Sequence, residues 1–138
     1  MVSEAEILES LFSIWDRYWT IVQWWSSVSF SLIIVAYFAA ARLNRAMVAT
    51  LIALYVVYSF WVWILMADNQ TVELGLYVDL EAVRSSIGQL SRSGEAILDN
   101  SLRVLGARLG TFAMFFTFAA CIGYFVYAFR KSGSSADT

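Results

Sequence analysis

The chain has no histidine and no proline, a single cysteine, and charge on only 14% of its 138 residues. Without histidine, the commonest acid–base side chain and the commonest metal ligand are both missing. One cysteine, Cys121, cannot close an internal disulfide, so it says little about redox compartment. No basic tract suggests nucleic acid, and the net charge is −2. No Cys/His cluster has the look of a metal site, and no nucleophile stands beside a recognisable base. The sequence therefore points to no catalytic residue, no cofactor and no metal, and to a protein that is not an enzyme.

What is present in excess is apolar and aromatic surface: 60% of the chain is apolar and 17% aromatic. A soluble domain is about 45–50% apolar and about 25% charged, so both departures run toward membrane proteins. Three uncharged runs set the class: 18–41, 46–67 and 109–129. Crossing about 30 Å of hydrocarbon takes about 20 residues at about 1.5 Å each. All three runs are long enough, and charges bound each of them. The expected architecture is an all-α integral membrane domain occupying residues 1–138, with three transmembrane helices. The start "MVSEAEILES" has three glutamates before the first arginine, unlike the basic start of a cleaved signal peptide, so the first span is expected to stay as an anchor.

Arg42 and Arg45 flank the tight connection between spans one and two, and Arg130 and Lys131 follow span three. Positive charge near span ends marks the cytoplasmic side. The expected placement is a multi-pass protein of the cell membrane, N-terminus outside and C-terminus cytoplasmic. The opposite side then receives the acidic N-terminus and the connection 68–108, which holds four arginines and six carboxylates. Tryptophan is an independent check. Trp15, Trp19, Trp24 and Trp25 surround the start of span one, and Trp61 and Trp63 approach the end of span two. Antiparallel spans bring those ends together, where indole rings favour the headgroup boundary. All six are read as outer anchors, with Trp24 and Trp25 deep enough to serve in packing instead.

Outside the runs, Ser3 and Glu6 have capping-box spacing, and Ile7, Leu8, Leu11, Trp15, Tyr18 and Trp19 share a helical face. An amphipathic helix over 3–17 is expected to run into span one. Across the long connection, Leu76, Leu80, Val83, Ile87, Leu90, Gly94 and Ile97 follow steps of four and three, and Leu98, Leu102, Leu105 and Leu109 form a second line. The periodicity predicts a helical hairpin over 72–108, turning at 91–96 with Ser93 as N-cap and two arms of similar height. With the N-terminal helix it would make a small extracytoplasmic cap, standing up or lying flat. Asn69-Gln70-Thr71 fits a glycosylation sequon but abuts span two. The tail 132–138 is expected to be disordered.

Within the runs no acid or base occurs, which weighs against a pump or coupled transporter. Span one carries a polar stripe of Thr20, Gln23, Ser27 and Ser31, with Asp16 one turn outside. Such a stripe either hydrogen-bonds between helices or lines a pore. Span three offers Gly106 and Gly110 in GxxxG spacing, continued by Ala113, Thr117 and Ala120: a groove for close helix packing and a candidate oligomer interface. Phe125 is read as lipid-facing, and Cys121 as a small packing residue.

The bilayer is thus one expected partner, and a homo-oligomer or larger membrane complex another. The leading function is a non-enzymatic accessory or assembly subunit. The alternative is a homo-oligomeric pore lined by span one. Three spans with the N-terminus outside also resemble class I phage holins. The resemblance covers topology alone, since the outer connection is far longer than a holin's and the tail lacks a strong basic cluster.

Overall fold

The computed structural model describes residues 3–134, and all regular structure among them is helical. Helix α1 spans Glu4–Ala39, α2 Arg45–Ile87, α3 Arg92–Leu98 and α4 Arg103–Ser134; one 3-10 turn, Ala40–Arg42, follows α1. Three of these, α1, α2 and α4, are long and apolar enough to cross a membrane. The helix α4 covers the first residues of the expected disordered tail, and 135–138 lie outside the described residues.

Local chemistry explains the helix ends. Ser3 caps α1 and Glu6 reaches back to the Ser3 backbone, so the capping box closes in both directions at 3.3 and 2.9 Å. Asn44 caps α2, its Oδ1 accepting from the Met47 N–H at 2.8 Å. Gly88 ends α2 with φ of 88°, a left-handed conformation that only glycine adopts without a Cβ penalty. Ser91, not Ser93, is the N-cap of α3: its Oγ accepts from the Gly94 N–H at 3.2 Å. Both serines suit a cap, but the chain has already turned at Gly88.

At about 1.5 Å per residue, α1 and α2 are about 54 and 65 Å long, well beyond one hydrocarbon thickness. They run antiparallel along their length. Trp25 meets Ser59 near the middle, Trp15 meets Glu73 further along, and Glu4 meets Ser91 beyond the end of α2. The helix α4 returns antiparallel to α2, with Arg103 beside Tyr77 and Phe118 beside Tyr55 and Trp63. Leu43, at the α1–α2 connection, and Phe129, near the end of α4, therefore pack around one cluster. That topology gathers Arg42, Arg45, Arg130 and Lys131 at one end.

The expected symmetric hairpin is replaced by an unequal one. Its rising arm is simply α2 continued to Ile87, while the returning arm is the short α3 and a turn before α4 begins. At the far end Ile7, Leu11, Tyr77, Leu80, Val83 and Leu90 form a buried cluster, with Ile97 and Leu98 of α3 packed against it. Full burial of such a side chain contributes about 1.5–3 kcal/mol. Ile87 of the first line is exposed, as are Leu102, Leu105 and Leu109, so of the second apolar line only Leu98 reaches the core.

Candidate functional site

Two polar arrangements lie on α1, on opposite sides of it. The first is a buried seam across all three long helices. Trp25 Nε1 donates to Ser59 Oγ at 3.1 Å, Ser29 Oγ and the Tyr55 hydroxyl are 2.9 Å apart, and Cys121 Sγ–H donates to the Ser29 carbonyl at 3.8 Å. Ser29 also donates to the Trp25 carbonyl. Tyr55 stacks on Phe118, their ring centroids 5.5 Å apart. Among the described residues no buried side-chain nitrogen or oxygen is left without a partner. A completely satisfied seam of this kind fixes helix register.

The seam corrects two expectations. Trp25 is 3% exposed, a packing residue and not a surface anchor; Ser59 satisfies its indole N–H, which makes burial tolerable. Phe125 is 1% exposed, buried beside Cys121 rather than turned outward. The other tryptophans divide. Trp19, Trp24 and Trp61 are exposed; Trp15 is half-buried with its Nε1 on Glu73; Trp63 is half-buried, stacked on Phe115.

The second arrangement is the stripe Asp16, Thr20, Gln23, Ser27 and Ser31. All five residues are exposed, on the side of α1 opposite Trp25 and Ser29, so the stripe ties none of the chain's own helices together. Its hydroxyls fold back on their own helix: Thr20 donates to the Asp16 carbonyl at 3.0 Å, Ser27 to Gln23 at 2.9 Å, and Ser31 to Ser27 at 2.8 Å. Gln23 has no such outlet. Its amide carries two donors and an acceptor, and no hydrogen bond within the described residues reaches it.

On α4 the small-residue face is equally open. A Cβ added at Gly106 or Gly110 would meet nothing within 4 Å. Ala113 and Ala120 are exposed, and Thr117 is half-buried with its hydroxyl on the Ala113 carbonyl. The groove is present, and none of the chain's own helices fills it.

Beyond the bundle, ionic contacts hold the far end together. Glu73 accepts from Trp15 at 3.0 Å and from the Tyr77 hydroxyl at 3.2 Å, while the Arg103 guanidinium lies 3.8 Å above the Tyr77 ring. Burial lifts the Tyr77 phenol above its ordinary range; the Arg103 hydrogen bond opposes that shift. Arg84 bridges Glu95 at 3.1 Å, Asp99 at 3.7 Å and Glu81 at 3.8 Å. These pairs are partly exposed and worth little individually. Asn69 of the sequon is 6% exposed within α2. Among the described residues no group of three or more metal-ligating side chains could hold an ion. The sequence marks Cys121 and, as an alternative, Trp25 as packing residues, but sequence reasoning missed the hydrogen-bonded seam that joins them through Ser29, Tyr55 and Ser59. Its one signal is the spacing Trp25, Ser29, Leu32, Ala36, a helical face with only one polar member. Comparison with family models, with curated proteins and with solved structures yields no match.

Proposed function

We propose that this chain is a multi-pass membrane protein with no enzymatic role, acting as an accessory or assembly subunit or as a homo-oligomer that presents helix surfaces to other membrane helices. The lengths and composition of α1, α2 and α4 support insertion. The common end of Arg42, Arg45, Arg130 and Lys131 is taken as cytoplasmic, and the cluster of α1, α2 and α3 becomes a cap outside the cell membrane.

The observation that carries the reading is Gln23. By helix rise its amide sits about 8 Å below the start of span one. Polar side chains at that depth are expensive and almost always face a bundle interior or water. In α1 they face away from the chain's own bundle, so the reading requires another helix, or water, on that side. The test is the mass of the purified protein in nanodiscs and of its complex extracted from native membranes, against 15.6 kDa for one chain. A mass above one protomer supports the proposal; a lone protomer in both settings overturns it.

A pore lined by the same stripe is the second reading, favoured by the same exposed polar residues. Ile34 and Phe38 continue that face toward the other end and are 56% and 77% exposed. A water path would have to pass this apolar half, which favours dewetting. We therefore expect reconstituted protein to conduct no ions. Robust flux, blocked by Gln23→Leu in an intact oligomer, would replace the assembly reading with a channel.

A further inference from the structure

Lipid chains can cover the open apolar faces of α2 and α4 at no cost, so those faces demand no partner. The stripe on α1 differs, because lipid offers Gln23 nothing to bond. We infer that a second copy of this chain covers it, the two α1 helices packing in parallel about a two-fold axis along the membrane normal, with each Gln23 amide on the other. The inference rests on the reading of α1 as a membrane span that other helices pack against, and names the partner.

Four features of the face fit a copy of itself. An amide carries both donor and acceptor, so two of them form a reciprocal pair, as a two-fold contact requires. A second copy places its own glutamine at the same depth automatically, whereas a different protein would need a matching polar group there. Ser27 and Ser31 are four residues apart, a small-xxx-small spacing, and their hydroxyls are already satisfied within α1. They leave a low surface on which another helix can approach closely. At the outer end Asp16 and Arg17 are adjacent and exposed, yet the ion pairs seen at that end, those of Arg84 with Glu81, Glu95 and Asp99, involve neither. Across the axis, Asp16 of one copy comes level with the partner's Arg17, and the reverse, so the charges complement each other.

The test uses the full chain in a Cys121→Ser background, in its native membrane and in nanodiscs. Ser27→Cys should give a disulfide-linked dimer under mild oxidation, whereas Val57→Cys on α2 and Phe116→Cys on α4 should not. Gln23 is exposed, and only its backbone carbonyl is bonded, to Ser27, so Gln23→Leu leaves the bundle core untouched. It should raise the dimer dissociation constant roughly 3- to 30-fold. A dimer mass with both results supports the inference. Equal cross-linking at all three positions, or a Gln23→Leu dimer of unchanged affinity, overturns the α1 interface. A ring of more than two chains overturns the two-fold pairing. A protomer whose Ser27→Cys cross-links to a different protein overturns the second copy while the assembly reading stands. A protomer that cross-links to nothing sinks both.

Discussion

Trp24 and Trp25 are neighbours in sequence but project about 100° apart around the helix. Trp24 is 70% exposed, while Trp25 donates to Ser59 inside the bundle. Replacing Trp25 with phenylalanine removes the indole donor from the Ser59 hydroxyl and leaves a void. A cost of about 2 kcal/mol is expected, against less than about 0.5 kcal/mol for Trp24→Phe, as read by thermal unfolding in detergent. Phe125 and Phe116 make a second contrast: Phe125→Ala should cost about 3–5 kcal/mol, and Phe116→Ala far less. The sequence did not distinguish these residues for a physical reason. In a soluble helix one face is polar and the core face stands out; here every face of α1 below Tyr18 is uncharged, so burial leaves no contrast. The most polar stripe of α1 lies opposite the buried one. Acid offers a further test at this scale. Hydrogen bonds from the Ser3 backbone and side chain hold the Glu6 carboxyl below its usual value. The capping box should therefore be intact above the ordinary glutamate range and be lost as pH falls through the lowered value. Amide exchange at the first turn of α1 should accelerate over that interval, and in Glu6→Ala it should be fast throughout.

Helix α2 continues about 30 Å beyond Ala67 because nothing stops it before Gly88. Three glycines in this part of the chain have different work and predict a series. Gly88 holds a left-handed φ in open space, so Gly88→Ala should destabilise by about 1–2 kcal/mol through backbone strain alone. At Gly94 a Cβ would come within 2.6 Å of Glu4 Oε1 and 3.0 Å of Leu90 Cβ. Gly94→Ala should thus push Glu4 off Ser91 and loosen α3, with hydrogen exchange rising in α3 but not in the bundle. Gly75 lies within α2 with nothing near it, and Gly75→Ala should stabilise by about 0.5–1 kcal/mol. Equal effects at all three would contradict the assigned roles. At this scale much was legible. The capping box and the helical periodicity of the connection are chemical signals carried by few residues. The unequal arms were not legible, because Ser91 and Ser93 are equally good caps. The choice between them rests on Gly88 and on Glu4, 87 residues away in sequence.

For the whole molecule, one charge pattern and one topology support each other. Antiparallel α1 and α2, with α4 packed mainly along α1 and touching α2 through its aromatic rings, leave four basic residues at one end and the Glu4–Ser91 contact at the other. Three runs of sufficient length made the number of helices long and apolar enough to cross a membrane readable from sequence. Which side faces the cytoplasm rests on arginine and lysine bias alone. Thiol labelling in intact cells separates the two orientations. With Cys121 replaced by serine, cysteine at Asn44 tests the α1–α2 connection, cysteine at Ser134 the end of α4, and cysteine at Ser93 the α3 end. Asn44 and Ser93 are both exposed in the fold, so a difference between them reports the membrane and not burial. An impermeant reagent should modify Ser93→Cys and spare Asn44→Cys and Ser134→Cys until the membrane is opened. Labelling of Asn44→Cys with protection of Ser93→Cys would invert the protein. Gln23 would then lie about 8 Å from the inner surface, and Asp16 and Arg17 would sit in the cytoplasm. Labelling of all three positions would mean that α2 and α4 do not cross the bilayer, and the three-span arrangement on which the partner at Gln23 rests would fall with them.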